Sequence, residues 1–153
     1  MEVPGEGPVP AHIMAVGEAP GVEEERSGRP FVGASGRELD KMMHEAGILR
    51  SEVFVSNVSR HRPPDNKIEV WLSRAKTRSK IPQGFVRWRG FYVHPYIKEG
   101  YAKLLREIEL VQPNVVIAFG NLSMYALTGT WGISKWRGSQ LSFDTEELKQ
   151  WLE

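Results

Sequence analysis

The 153-residue sequence contains no cysteine. This absence excludes disulfide bonds, thiolate metal sites and cysteine nucleophiles. The four histidines lack the close spacing of metal ligands, so we expect no metal and no cofactor: His12, His44, His61 and His94. No apolar run approaches the roughly 20 residues of a membrane span. The proline-rich residues 1–10 lack the basic segment that begins a secretory signal. We therefore expect a protein of a reducing compartment that has no membrane partner.

Length and composition are those of one globular domain. Hydrophobic residues make up 41% of the chain and charged residues 25%, which is ordinary for a protein that buries a core. The length predicts a single domain over residues 1–153. The net charge is +1, but residues 60–90 hold nine Lys and Arg against two acidic residues, a local charge of +7. A basic segment on an otherwise acidic chain predicts a polyanionic partner.

Apolar runs and helical patterns alternate along the chain. Strands are predicted by three apolar runs: Ile13–Val16, Val53–Val58 and Val115–Phe119. Apolar residues at helical spacing predict three helices, over residues 35–46, 95–110 and 121–127. A helical turn is predicted before them, over residues 23–26. This alternation predicts an α/β fold, a three-layer αβα sandwich with a central parallel sheet.

Several boundaries and connecting segments are also predicted. Ser35 begins the first long helix, because Glu38 completes a capping box with it. Gly47 ends this helix as its C-cap. The apolar face of the helix consists of Leu39, Met42, Met43 and Ala46. Residues 60–90 form a long loop with a short helix near residues 68–74. After a turn at residues 136–138, a short strand over residues 140–143 and a helical piece over residues 146–152 follow.

Polar residues follow the predicted strands, where ligands bind in parallel sheets. Glu18 directly follows the first strand, and the turn Ala19-Pro20-Gly21 can present backbone N–H groups to a phosphate or a base. Asn57 ends the second strand, and its amide suits a base edge. Phe31 lies among glycines that leave room for a ligand, or else it is a core residue. Glu24 is either a further site carboxylate or part of a solvated acidic turn.

The basic segment is also rich in aromatic residues. With the two residues that follow, it forms a predicted basic aromatic insertion loop over residues 60–92 that contains Trp71, Phe85, Trp88, Phe91 and Tyr92. Cations interleaved with aromatic rings are typical of surfaces that bind single-stranded nucleic acid. The alternative is a solvated loop whose aromatic patch packs on the core. The charge imbalance favours nucleic acid.

Four segments, in this order and at this spacing, resemble the uracil-DNA glycosylase superfamily, and within it the family-four type of bacteria, archaea and phages. They are Gly17-Glu18-Ala19-Pro20-Gly21, residues 28–36 (Gly-Arg-Pro-Phe-Val-Gly-Ala-Ser-Gly), Asn57-Val58, and Arg62-Pro63-Pro64 with Asn66. The resemblance is strong over residues 13–66 and weaker around residues 95–127 and 136–138. It implies a sheet of about four strands and hydrolysis of the N-glycosidic bond of deoxyuridine in DNA after base flipping. It also implies a cytoplasmic protein at the nucleoid of a bacterial or phage-infected cell.

The resemblance assigns roles to the matching residues. Glu18 and Glu24 would be catalytic with Asn57, and Glu18 is the stronger candidate because it lies in the first motif. A carboxylate near the sugar stabilises the developing positive charge and orients water. Phe31 would stack on uracil, Asn57 would also read its polar edge, and Asn66 would position the nucleotide. The remaining substrate contacts would come from Gly17, Ala19, Pro20 and Gly21. The expected DNA-binding cations are Arg62, Lys67, Arg74, Lys76, Arg78, Lys80, Arg87, Arg89 and Arg137.

Two departures from the family pattern stand out. The family-four type carries four cysteines that hold an iron–sulfur cluster, and here His61 and His94 stand near two of those positions. The superfamily's last motif, a His-Pro-Ser-like loop whose histidine donates to the leaving uracil, is also missing. The only His-Pro pair is His94-Pro95, before the third predicted strand. We expect a truncated domain, a piece of a larger protein, or a protein that has abandoned part of the reaction.

Three functions are compatible with these features. The first is a uracil-DNA glycosylase, of full or reduced activity. The second is a glycosylase-like domain that binds DNA without cutting it and serves a phage DNA polymerase or another replication protein. The third is an α/β protein that binds a nucleotide or phosphate through residues 17–21, which leaves the basic segment unexplained.

Overall fold

The structure is a computed structural model, and it describes residues 1–143. The strands are β1 (Ile13–Gly17), β2 (Val53–Asn57), β3 (Leu72–Ser73), β4 (Val86–Trp88), β5 (Phe91–Val93) and β6 (Val115–Ala118). The α-helices are α1 (Val22–Ser27), α2 (Ala34–Glu45), α3 (Pro95–Val111), α4 (Asn121–Thr128) and α5 (Ile133–Trp136). Short 3₁₀ turns lie at Arg50–Glu52, Pro64–Asn66, Ile68–Trp71 and Arg78–Lys80.

A parallel sheet in the order β2-β1-β6 forms the centre of the fold. Its middle strand is fully buried, since Met14, Ala15 and Val16 expose none of their surface. Gly17 pairs with Asn57 at the carboxyl end of the sheet. The three predicted strands and their parallel arrangement are therefore confirmed. Within residues 1–143 the sheet has three strands rather than the expected four or so.

The helices predicted over residues 23–26, 35–46, 95–110 and 121–127 form, with one boundary corrected. Helix α2 begins at Ala34 with Gly33 as its N-cap, so Ser35 does not begin it. Ser35 lies exposed inside the first turn, where the helix is already formed. Leu39 and Met43 are buried as expected, but Met42, which is 45% exposed, and Ala46 lie on the exposed side. The chain leaves this helix through Gly47, which has a positive φ of 73°.

Residues 60–90 contain more regular structure than the predicted loop, and the short helix predicted near residues 68–74 is a 3₁₀ turn over Ile68–Trp71. They contribute β3 and β4 to a second, antiparallel sheet in the order β3-β5-β4. Three aromatic side chains of this region, those of Trp71, Trp88 and Phe91, are buried in the main hydrophobic cluster. Strands of two or three residues carry almost no periodic signal, so the sequence did not predict this sheet. The burial of its aromatic residues stabilises it.

The N-terminal segment covers the outer edge of β2. Glu6 and Val55 exchange two backbone hydrogen bonds of 2.8 Å, and Val3 donates to the carbonyl of Arg60. Val3 is buried with 1% of its surface exposed. The segment therefore forms hydrogen bonds with backbone N–H and C=O groups that would be unpaired if the edge of β2 were uncovered.

The C-terminal part differs from the sequence-based expectation. Residues 140–143 do not form the predicted strand. The turn at residues 136–138 is present, with Ser139 donating to the carbonyl of Trp136 at 2.9 Å. The helix predicted over residues 146–152 lies outside the described residues. Among residues 1–143, no helix is both long and apolar enough to cross a membrane.

Candidate active site

A cleft of about 310 Å³ opens at the carboxyl end of the parallel sheet. Six of the residues predicted for the site line it: Glu18, Ala19, Pro20, Gly21, Glu24 and Asn66. The strand-end turn after β1 forms one wall. The start of α2 and the turn at residues 63–68 form the others. The cleft is thus lined by the turn after β1 and by residues that follow β2, whereas the strand end after β6 does not line it.

Glu18 lies at the end of β1 and points toward the start of α4. Its Oε2 atom accepts a hydrogen bond of 3.0 Å from the backbone N–H of Leu122. Gly120 permits this approach, because a β-carbon there would lie 2.4 Å from the Glu18 carboxyl carbon. Burial raises the pKa of Glu18, the Leu122 hydrogen bond opposes that shift, and the charge of Glu69 adds to it. Glu69 was not among the predicted site residues, since an exposed acid in a basic segment carries no sequence signal.

Glu24 is buried, with 6% of its surface exposed, so the solvated-turn interpretation is wrong for it. Its Oε1 atom accepts from the backbone N–H of Gly21 at 3.1 Å, as in a capping box of α1. Its Oε2 atom has no hydrogen-bond partner among the described residues. Gly33 leaves space for that oxygen, because a β-carbon there would lie 2.6 Å from it. Glu24 thus contributes a largely buried carboxylate to the cleft wall, and its Oε2 atom, which is itself buried, faces Gly33.

Phe31 and Asn57 meet at Gly17. Both side chains are buried. A β-carbon on Gly17 would lie 2.5 Å from Asn57 Oδ1 and 2.9 Å from Phe31 Cζ. The Phe31 ring also lies 6.1 Å from the ring of Phe119, measured between centroids. A ring and an amide therefore lie side by side next to Glu18, and the ring packs in a hydrophobic core cluster, as its core-residue alternative predicted. Both lie behind Gly17 and not on the open walls of the cleft.

Asn66 marks the opposite side of the cleft. It has a positive φ of 59°, and its Oδ1 atom accepts from Arg62 Nε at 2.6 Å. Arg62 also lies 3.8 Å from a carboxylate oxygen of Glu25. Arg62 therefore links the Asn66 turn to α1 across the cleft, in addition to its expected role as a DNA-binding cation.

The predicted DNA-binding cations occupy different environments. The side chains of Lys67, Lys76, Arg78, Lys80, Arg87 and Arg137 are exposed. Arg74 is also exposed, but its guanidinium lies over the rings of Phe91 and Trp131 at 4.9 and 5.0 Å. Arg89 donates to the carbonyls of Tyr125 and Ala126 and lies over the Tyr125 ring. Arg74 and Arg89 therefore also stabilise the second sheet.

The residues near the family's cluster positions form an aromatic stack. The rings of His61 and Tyr96 stack at 3.7 Å, and those of Trp71 and His94 stack at 4.6 Å. His94 Nδ1 accepts from the Tyr96 N–H, so it caps α3. A chain without cysteine offers no thiolate for an iron–sulfur cluster. Among the described residues, no three His, Asp or Glu side chains come together to hold a metal ion.

Comparison with known proteins shows the family to which the sequence is similar. The family model of the uracil DNA glycosylase superfamily matches residues 4–151. The type-4 uracil-DNA glycosylase of Thermotoga maritima is 34% identical over 143 residues, which are 92% of this chain and 62% of that protein. The enzyme of the same name from Pyrobaculum aerophilum is 34% identical over 125 residues, 82% of this chain and 52% of that protein. A DNA polymerase of Bacillus phage SP01 is 27% identical over 135 residues, 88% of this chain and 12% of the polymerase.

Proposed function

Because this chain belongs to the uracil-DNA glycosylase superfamily, we propose that it hydrolyses the N-glycosidic bond between uracil and deoxyribose in DNA. The observation that carries the proposal is the meeting of Phe31 and Asn57 at Gly17, one residue from the Glu18 carboxylate. A base must leave the helical stack to reach such a recessed site. The chain spans 62% and 52% of the two glycosylases it was compared with, so the reaction is proposed for this part of the fold.

Base recognition falls to the ring and the amide. Phe31 offers a buried apolar face for stacking, and stacking alone tolerates any base. Asn57 adds an amide that both donates and accepts. This amide complements the N3–H and O4 of uracil, whereas cytosine presents an acceptor and an amino donor at those positions. Asn57 thus supplies the choice of uracil over cytosine.

The two glutamates act on the sugar and on water. As the C1′–N1 bond breaks, positive charge builds on the sugar and negative charge on uracil. Glu18 and Glu24 line the cleft beside that position, and a carboxylate there stabilises the sugar cation. Glu24 lines the cleft, so its carboxylate is suited to accept a proton from the attacking water. The water oxygen bonds to C1′ as the C1′–N1 bond breaks, and uracil leaves with the electron pair of that bond and takes a proton from solvent.

Exposed cations hold the DNA strand. Lys76, Arg78 and Lys80 are exposed in the basic segment beyond β3. Lys67 lies next to Asn66, on the side of the cleft where the strand would enter. Contacts of these cations with phosphates position DNA without reading its sequence. The buried Arg60, which is paired with Glu107, does not belong to this surface.

A cleavage assay tests the proposal. Labelled single- and double-stranded oligonucleotides that contain one uracil are incubated with the protein and then treated with alkali, which breaks the strand at an abasic site. We expect breaks with the wild type and much weaker cleavage with Glu24→Gln, Glu18→Gln and Asn57→Ala. The matched control is Glu38→Gln, an exposed residue of α2 outside the cleft. Absence of breaks with the wild type would overturn the proposal.

A second function is favoured by the similarity to the phage DNA polymerase. In it the domain binds DNA and serves a polymerase or another replication protein without cleaving the glycosidic bond. The local charge of +7 in residues 60–90 suits such a role. Salt-sensitive DNA binding without cleavage would identify it. Both functions place the protein at cytoplasmic DNA of a bacterial or phage-infected cell.

A further inference from the structure

We propose that Arg50 is a positioning residue for the Phe31 ring, a role that rests on the proposed function of Phe31 in base binding. Arg50 begins the 3₁₀ turn that precedes β2. Its Nη1 atom donates to the Phe31 carbonyl at 3.1 Å, and its Nη2 atom donates to the Pro30 carbonyl at 3.2 Å. One planar guanidinium thus holds two consecutive backbone carbonyls.

The Phe31 backbone has a conformation that needs such support. Its φ is 54°, in the left-handed region that non-glycine residues rarely adopt. Its carbonyl lies against the first turn of α2, where a β-carbon on Gly36 would come within 1.9 Å of the oxygen. The close approach at Gly36 and the donation from Arg50 together hold the carbonyl in this direction, and the direction of the backbone determines where the ring lies.

Arg50 is itself held in place. Its Nη1 atom also donates to Asp40 Oδ1 at 2.7 Å, which ties the guanidinium to α2. A lysine at this position would present a single point of charge and could not reproduce the two-pronged contact. The arrangement therefore depends on the guanidinium fork and not on positive charge alone.

Arg50 has no place in the cleft itself. It lines a second cavity, of about 590 Å³, together with Phe31 and Arg29. Phe31 lies between this cavity and Gly17, whose position next to Asn57 and Glu18 defines the proposed base site. Arg50 therefore acts on the reaction from outside the cleft, and its two donations to the backbone of residues 30 and 31 make the position of the Phe31 ring the direct route.

Fluorine NMR tests the positioning without requiring activity. The protein is labelled with 4-fluorophenylalanine at its six phenylalanines, and the Phe31 signal is identified by its loss in Phe31→Leu. We expect Arg50→Gln and Arg50→Lys to shift or split the Phe31 signal and to leave the signals of the remote phenylalanines unchanged. The matched control is Arg29→Gln, which removes an arginine of the same cavity that is paired with Glu6. An unchanged Phe31 signal in both Arg50 variants would overturn the proposal.

A double-mutant cycle tests the consequence for the reaction. We expect Arg50→Gln to lower kcat/KM on uracil-containing single strands by about 10- to 100-fold, the effect of a misplaced contact. In the Phe31→Leu background the same substitution should change kcat/KM by less than about 2-fold, since coupled residues are not additive. Arg29→Gln should leave the rate unchanged. An equal loss in both backgrounds would show that Arg50 does not act through Phe31.

The tests still give an answer if a variant fails to fold or if the wild type is inactive. If Arg50→Gln does not fold, Arg50→Lys carries both comparisons, with thermal melting as the measure of folding. If the wild type cleaves no uracil-containing strand, the proposed function fails. The fluorine signals then still decide whether Arg50 positions the Phe31 ring.

Discussion

The Oε2 atom of Glu18 accepts a 3.0 Å hydrogen bond from the backbone N–H of Leu122. This contact joins the end of β1 to the first turn of α4. The start of a helix presents unpaired N–H groups and a partial positive charge, so it stabilises a carboxylate. Burial acts in the opposite direction, and the net result is a raised pKa for Glu18. Glu18 therefore joins two elements of the fold through a hydrogen bond, while its buried environment disfavours its negative charge.

Glu18→Gln should raise stability at neutral pH while it lowers activity. Folding raises the pKa of Glu18 above its ordinary value of 4.5. The stability that the protonated Glu18 side chain contributes is therefore fully present below pH 4.5 and is lost as the pH rises through the pKa of the folded state. Glutamine removes the charge and keeps an oxygen that can accept from Leu122. We expect a higher melting temperature than wild type at neutral pH, no gain below pH 4.5, and a rate loss of roughly 10²–10³-fold. Glu38→Gln should show no such pH-dependent gain, and a lower melting temperature of Glu18→Gln at neutral pH would contradict the assignment.

Gly17→Ala should remove base recognition and leave the fold in place. The added β-carbon would lie 2.5 Å from Asn57 Oδ1 and 2.9 Å from Phe31 Cζ, so one of the two side chains must move. We expect a loss of about 1–3 kcal/mol in the free energy of unfolding, as for an overpacked core, and cleavage close to background. Urea denaturation and the alkali assay measure the two effects. The control is Gly90→Ala, where the new β-carbon would meet only the Tyr125 hydroxyl at 3.1 Å; cleavage by Gly17→Ala at the wild-type rate would refute the placement of the base site.

The aromatic stack should make the fold sensitive to acid. Burial lowers the pKa of both His61 and His94, so the folded state favours their neutral forms. Their contribution to stability is present above pH 6.5 and is lost as pH falls through the pKa of each folded residue. The double variant His61→Phe/His94→Asn keeps a stacking ring and a helix cap without a titrating group. Urea denaturation above and below pH 6.5 should show a smaller acid loss for it than for wild type, whereas His44→Gln, exposed on α2, should behave as wild type.

Exposed cations and ring-bound cations of the basic segment should respond differently to neutralisation. Replacing Lys76, Arg78 and Lys80 with glutamine should weaken DNA binding and reduce the slope of log affinity against log salt by about 2–3. Arg74→Gln should weaken DNA binding and, in addition, lower the free energy of unfolding by about 1 kcal/mol, because the Arg74 guanidinium lies over Phe91 and Trp131. Fluorescence anisotropy at several salt concentrations and thermal melting separate the two effects. Lys41→Gln, exposed on α2, is the control, and an unchanged salt slope in the triple variant would exclude this DNA-binding surface.

Much of the fold follows from patterns that are local in the sequence. The apolar runs before Glu18 and Asn57 predict strands β1 and β2, because a buried parallel strand is apolar on both faces. The spacing of apolar residues predicts α3 almost to its ends. The small antiparallel sheet was missed, since its strands have two or three residues and lie between prolines and glycines.

The candidate site divides in the same way. Its position at the strand ends and the place of Glu18 were predicted from residue types and order, whereas Glu24 and Asn66, which line the same cleft, were assigned to the site by the family resemblance. The burial of Glu24 and the φ of Phe31 were not predicted, because they result from how α1 and α2 pack against the turn between them. Arg50 had no signal at all, since it acts through backbone carbonyls that any sequence possesses.

The sequence by itself determined the strands, the long helices and the chemical groups available at the end of β1, because hydrophobic period and turn residues act over a few neighbours. Only the tertiary structure decided which groups meet. Glu18 binds Leu122, 104 positions along the chain, and Arg50 binds the Phe31 carbonyl, 19 positions before it. Parallel strands are joined by long crossovers, so partners at one sheet edge are distant in sequence and no local pattern specifies them.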